Sequence, residues 1–106
     1  MLTINNINIS ELPNSVNIFN DKIQLTTDKC TAEVSIAGTD ATIKAYLKIS
    51  ASGNQFVIPH EDAAIEILAG SRTVIIPFSG LTPGCFVELH IYKQAATTGT
   101  LNATLI

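Results

Sequence analysis

The side chains that could carry out chemistry in this 106-residue sequence are few and scattered. His60, Glu61 and Asp62 are consecutive, so they could hold a cation, or the two carboxyl groups could act as acid and base. His90 lies two positions after Glu88, which places both side chains on the same side of a strand. The first group is typical of a solvated loop and the second pair of an exposed surface. We therefore predict no catalytic residue, metal site or cofactor.

The two cysteines, Cys30 and Cys85, are far apart in the sequence. The N-terminal residues carry no signal peptide, so we expect reduced thiols rather than a disulfide. A zinc site would need more ligands at close spacing. The sequence also lacks the GxSxG, HExxH, P-loop and GxGxxG motifs. These observations predict a protein that is not an enzyme.

Charged residues are unusually scarce. They make up 14% of the chain, with a formal net charge of −3, against about 25% in an average soluble domain. The absence of a basic excess argues against partners such as nucleic acid or an anionic membrane. Surfaces rich in hydroxyl and amide groups suit contact with another protein, because burying charges there would be costly. The composition favours a component of a protein assembly.

Apolar and polar residues alternate along most of the chain, which predicts strands. No stretch of about a dozen residues keeps a helical stripe. Together with frequent turns, the pattern predicts one all-β domain over residues 1–106, a β-sandwich of about seven to nine antiparallel strands. The ten candidate segments from which these strands would be drawn are 1–9, 15–19, 23–27, 30–36, 43–49, 55–59, 63–68, 72–78, 85–92 and 100–105.

The segment GLTPGCFVELHI at 80–91 resembles the corner between strands E and F of fibronectin type III and related immunoglobulin-like domains. In such a corner Pro83 fixes φ, Gly84 tolerates a positive φ, and Leu81 fills the end of the core. The resemblance implies an immunoglobulin-like β-sandwich, in which segments 43–49, 86–92 and 100–105 share one sheet.

The sequence departs from that family at positions that matter. Val87 stands at the position of the corner tyrosine, Leu89 stands at the usual disulfide position, and the chain has no tryptophan. An antibody-type domain is therefore excluded, and a jelly roll remains the alternative arrangement.

In this predicted sandwich, the alternation of apolar and polar residues places one set of polar and aromatic side chains on the outer face of the sheet. Exposed aromatic side chains are typical interface anchors, because they bury a large area at little entropic cost. Two other interpretations stay open: cross-strand pairs that only support the sheet, and a platform for glycans. The candidate interface residues are Lys44, Tyr46, Lys48, Phe86, His90 and Tyr92.

A second resemblance concerns the whole chain. Small, leaderless all-β chains rich in Asn, Thr and Ile are similar to the auxiliary or decoration proteins of tailed bacteriophages. The resemblance implies a non-enzymatic structural protein that docks by surface complementarity on a major capsid subunit, or on itself. Such a protein would reside in the virion after assembly in the host cytoplasm. The alternative is a carbohydrate- or cell-surface-binding module.

Overall fold

The computed structural model describes residues 1–58 and 64–106, and it places them in two antiparallel sheets that form a β-sandwich. The all-β prediction is thus confirmed, and a single 3-10 turn, Ile9–Glu11, is the one helical element of the described residues. The strands are β1 (Leu2–Asn8), β2 (Ser15–Asn17), β3 (Ile23–Gln24), β4 (Cys30–Thr39), β5 (Ile43–Ser50), β6 (Ile65–Ile67), β7 (Gly70–Phe78), β8 (Phe86–Tyr92) and β9 (Thr100–Leu105).

The order of strands in each sheet mixes early and late parts of the chain. The first sheet has the order β1-β9-β4-β7, and the second has the order β2-β8-β5-β6, with β3 also pairing with β8. Apart from the steps β2 to β3 and β5 to β6, each connection between consecutive strands passes from one sheet to the other. The chain therefore passes repeatedly between the two sheets, from its first strand to its last.

The core lies between the sheets and is built from alternate residues of the long strands. In β4, for example, Ala32, Val34 and Ile36 are buried whereas Glu33 is exposed. The same alternation governs β9, where Leu101 and its inward neighbours are buried. Burying one large aliphatic side chain stabilises a fold by about 1.5–3 kcal/mol. The bulkiest fully buried side chains are Ile9, Ile43, Leu47, Ile67, Leu89, Ile91, Leu101 and Leu105.

The expectation that 43–49, 86–92 and 100–105 share one sheet is wrong. The strand β9 lies in the first sheet, where Ala103 pairs with Ile4 on β1 and with Val34 on β4. The strands β5 and β8 pair with each other in the second sheet. Alternation reports which side of a strand faces the core, and this signal is the same for a strand of either sheet.

Two predicted strands are much shorter than expected. In the described part of segment 55–59 there is only an isolated bridge between Val57 and Ile49, and in the described part of segment 63–68 there is only β6. Pro59 and Ala63 lie outside the described residues, as do the candidate cation or acid–base residues His60, Glu61 and Asp62.

The chain turns at residues 81–84, before β8. Gly84 has a φ of 89°, and Leu81 is partly buried against the core. The Leu81 amide donates to the carbonyl of Asp28 at 2.9 Å, and the Gly84 amide donates to the carbonyl of Leu25 at 2.8 Å. The corner therefore ties the start of β8 to the segment between β3 and β4.

A carboxylate links two connections that pass between the sheets. Asp40, which follows β4, accepts hydrogen bonds from the Thr97 amide at 2.8 Å, the Thr97 hydroxyl at 2.6 Å and the Thr98 amide at 3.1 Å. These bonds favour the charged form, so they hold the pKa of Asp40 well below its usual range. The β4–β5 turn is thereby fixed to the loop before β9.

We expect Asp40→Asn to lower Tm at neutral pH, because the amide loses the charge and one acceptor oxygen. A carboxyl group whose pKa is depressed by folding stabilises the fold above its unfolded-state pKa, and this contribution is lost as pH falls. The Tm difference between wild type and variant should therefore narrow from about pH 7 to about pH 3. Thermal unfolding followed by circular dichroism measures it, with the exposed Asp28→Asn as control. A difference that does not depend on pH would contradict this account.

Candidate functional site

The six candidate interface residues lie on the outer face of the second sheet. Lys44, Tyr46 and Lys48 alternate on β5, and Phe86, His90 and Tyr92 lie on β8. The register places Lys44 opposite Tyr92, Tyr46 opposite His90, and Lys48 opposite Glu88. The two strands thus bring these side chains side by side, with Phe86 at the far end of the row.

The aromatic side chains differ sharply in exposure. Tyr92 is 39% exposed, whereas Tyr46 is 9% exposed and His90 is 8% exposed. The Tyr46 ring stacks on the His90 ring with centroids 5.5 Å apart, and its hydroxyl hydrogen-bonds the Ser15 hydroxyl at 2.6 Å. Tyr46 therefore ties β5 to β2, and Tyr92 is the aromatic residue of this group that a partner can reach.

His90 forms a bonded pair with Glu88, with 2.9 Å between Nε2 and Oε1. The sequence predicts an exposed pair, but the imidazole is buried. Burial lowers the pKa of His90 below its usual value; the hydrogen bond to Glu88 opposes this shift, and the charge of Lys48 adds to it. The Glu88 carboxylate can only accept, so Nε2 of His90 donates in this bond while the ring stacks on Tyr46.

Phe86 is covered by its own chain. The Nζ of Lys22 lies 5.3 Å from the centre of the Phe86 ring and donates to the Gly53 carbonyl at 2.7 Å. Gly53 is buried, and a side chain there would meet the Phe86 ring. The Phe86 ring therefore holds neighbouring loops in place, and less of it is available to a partner.

An apolar depression lies beside Tyr92. It has a volume of about 240 Å³, and its lining combines Tyr92 and Tyr46 with Lys44, Ile58 and Ala64. Ile58 is 45% exposed and the preceding Val57 is 63% exposed. We refer to Val57, Ile58, Ala64 and Tyr92 as the Tyr92 patch. Sequence reasoning assigned Val57 and Ile58 to a strand at 55–59 and Ala64 to a strand at 63–68, so it did not identify them as parts of an exposed patch.

The two cysteines are not bonded to each other. Cys30 is a buried free thiol and burial raises its pKa to about 11, so it stays protonated; Cys85 is a partly exposed free thiol. Within residues 1–58 and 64–106, no group of three His, Cys, Asp or Glu side chains could hold a metal ion.

No helix in the described part of the chain is long and apolar enough to cross a membrane. Comparison with protein-family models, with curated proteins and with solved structures found no match to this chain.

Proposed function

We propose that this chain is a non-enzymatic structural subunit that docks on a larger protein shell, such as a bacteriophage capsid, by surface complementarity. The observation that carries the proposal is the Tyr92 patch, an exposed apolar surface on a protein with few charges. The partner is a major shell subunit, or a second copy of this chain. In this proposal the protein is assembled in the host cytoplasm and resides in the virion.

The strand order supports a jelly-roll arrangement. Taken from the two ends of the chain, β1 pairs with β9, β2 with β8, β4 with β7, and β5 with β6. These are the pairs of one long hairpin that turns between β5 and β6, and winding that hairpin into two sheets adds the pairs β4–β9 and β5–β8. Jelly rolls serve as viral capsid subunits and as lectins, although the fold alone does not settle the function.

The immunoglobulin-like arrangement has less support. Its B–E and C–F pairs correspond to β4–β7 and β5–β8, which are present. Its last strand lies beside strand F, the counterpart of β8, but β9 lies between β1 and β4. The position of β9 therefore favours the jelly roll over the immunoglobulin-like sandwich.

Several exposed apolar residues lie near the β6 edge of the second sheet. Besides the Tyr92 patch, Leu68, which follows the edge strand β6, is 54% exposed and Ile65 is 38% exposed. Exposed apolar surface of this kind, bordered by polar groups such as Lys44, is typical of protein–protein contact sites. An anchor side chain of the partner would fill the depression between Ile58 and Tyr92, and Lys44 at its border would select a polar or acidic neighbour.

The docking test changes the patch without touching the internal contacts of Tyr46. We expect the double variant Ile58→Ser, Tyr92→Ser to lower the amount of chain bound to shells at least about tenfold, since each change removes apolar area from the contact. The tagged chain is expressed in its natural source, and shells purified by density-gradient centrifugation are assayed for the tag.

The control is Ile75→Ser, which removes from the first sheet an isoleucine that is 64% exposed, against 45% for Ile58. We expect this variant to bind shells like wild type. Circular dichroism confirms that both variants keep the fold. Undiminished incorporation of the folded double variant, or the absence of wild-type chain from every shell fraction, would refute the proposal.

A further inference from the structure

A polar groove of about 370 Å³ lies on the outer face of the first sheet, on the opposite side of the sandwich from the Tyr92 patch. Its volume is at the lower end of the range for small-molecule sites. Five of the seven residues that line it are uncharged and polar, one carries a carboxylate and one is alanine. The lining residues are Asn5, Asn6, Glu33, Ser35, Asn102, Ala103 and Thr104.

A β-bulge gathers three carboxamides at one end of the groove. Ile4 pairs with Ala103 and Ile7 pairs with Leu101, so Asn5 and Asn6 together lie opposite the single residue Asn102. Asn6 has a φ of 57°, a conformation that asparagine tolerates better than most residues. Bulges commonly redirect side chains next to functional sites.

One hydrogen bond orients the central carboxamide. The backbone amide of Asn6 donates to Oδ1 of Asn102 at 2.7 Å. The Nδ2 group of Asn102 has no hydrogen bond to a described residue, so it can donate to a ligand. The side-chain amides of Asn5 and Asn6 have no hydrogen bond to any described residue, and each offers both a donor and an acceptor.

Glu33 supplies the charged acceptor of the groove. It lies opposite Thr104 on β9 and opposite Ile75 on β7. Its side chain is exposed, and its carboxylate has no hydrogen bond or ion pair with the described residues. Ile75 is 64% exposed and adds an apolar surface immediately beyond the carboxylate.

We propose that this groove binds a neutral sugar about the size of one or two rings. The Glu33 carboxylate accepts hydrogen bonds from sugar hydroxyls, and the Asn102 Nδ2 donates to a hydroxyl or ring oxygen. Hydroxyl groups both donate and accept, which matches the mixture of carboxylate, amide and hydroxyl groups in the lining.

Two other kinds of ligand fit less well. A cation such as Ca²⁺ prefers several oxygen ligands, but the groove has a single carboxylate, and the Asn102 oxygen already accepts the Asn6 amide. An added peptide strand would need a regular row of free backbone groups along β1, and the bulge at Asn5 and Asn6 interrupts that row.

The test is a ¹H–¹⁵N NMR titration of the chain with glucose, galactose, N-acetylglucosamine and maltose. We expect at least one of these sugars to shift the amide signals of Asn6, Glu33 and Asn102, with a Kd of about 1 mM because the groove is shallow. Glu33→Gln keeps the shape but removes the charge, and it should weaken binding about tenfold. Glu66→Gln, on β6 of the second sheet, should bind like wild type.

Three outcomes would overturn this proposal: no shifts in the groove with any of the four sugars, shifts confined to the Tyr92 patch, or shifts in the groove with CaCl₂ but not with sugar. The result is independent of shell docking, because the groove and the Tyr92 patch lie on opposite faces. A chain that does not dock on shells could still bind sugar, and a chain that docks could lack a sugar site.

Discussion

Replacing Gly99 with alanine is expected to destabilise the fold by about 2–5 kcal/mol. Gly99 has a φ of 106°, which L-residues rarely adopt. An added Cβ would lie 2.7 Å from the carbonyl oxygen of Ala37 and 2.9 Å from the amide nitrogen of Thr39. Because both are backbone atoms of β4, relief of the clash requires the strand or the loop to move.

Urea denaturation measures this loss, and Gly80→Ala is the matched control. Gly80 also has a positive φ, of 70°, but a Cβ there would meet no atom within 4 Å. Only the backbone strain remains, so we expect a loss of about 1–2 kcal/mol. Equal losses for the two variants would show that the close approach of Gly99 to β4 does not contribute.

The close approach of Gly99 to β4 matters because Gly99 directly precedes β9, the strand that lies between β1 and β4 in the first sheet. The Gly99 carbonyl accepts the Ile9 amide at 3.0 Å, and its Cα faces the end of β4. Gly99 thus lies between the strands that flank β9. A side chain at this position opposes the insertion of β9 between β1 and β4, and therefore the closure of the first sheet.

Much of the fold could be predicted from local pattern. The segments 30–36, 43–49, 85–92 and 100–105 contain β4, β5, β8 and β9 with small errors at their ends, because each strand buries one face and alternates along its length. The pairing of strands could not be predicted in the same way. It depends on contacts between residues far apart in sequence, and alternation does not identify the partner strand.

For the candidate interface residues, too, local pattern predicts the position on the strand but not the contacts with distant parts of the chain. Alternation correctly places Lys44, Tyr46, Tyr92 and their neighbours on the outer face of the second sheet. It could not foresee that Ser15 would bond the Tyr46 hydroxyl or that Lys22 would cover Phe86, since both contacts come from β2 and the segment after it. Exposure on an outer face therefore depends on which loops fold back over it.

The polar groove of the first sheet was beyond sequence reasoning for a related reason. The alternation of β9 places Asn102 and Thr104 on an outer face, but only the bulge brings Asn5 and Asn6 beside them. The short run of two asparagines in an otherwise alternating strand is the one local signal of that irregularity. The molecule consequently presents an apolar patch on one face and a hydrogen-bonding groove on the other, which is consistent with a subunit that is fixed by the first and binds a ligand through the second.

Leu89→Ala is expected to cost about 2–5 kcal/mol, since it leaves a cavity in the middle of the sandwich. Leu89 lies on β8 opposite Leu47 on β5, and both are buried side chains of the second sheet that face the first. Equilibrium urea denaturation gives the difference in free energy of unfolding. The m-value should stay constant if the denatured state does not change.

The control for this prediction is Ile75→Ala, which removes a similar number of methyl and methylene groups from an outward-facing position that is 64% exposed. The exposed Ile75 side chain buries little apolar area in the folded protein, so we expect the free energy of unfolding to change by no more than about 0.5 kcal/mol. The contrast between the two variants tests the layered arrangement itself, because hydrophobicity alone would assign leucine and isoleucine the same cost. If Ile75→Ala proved as destabilising as Leu89→Ala, the outer face of the first sheet would have to be covered rather than exposed to solvent. The groove beside Glu33 would then not be open to a ligand.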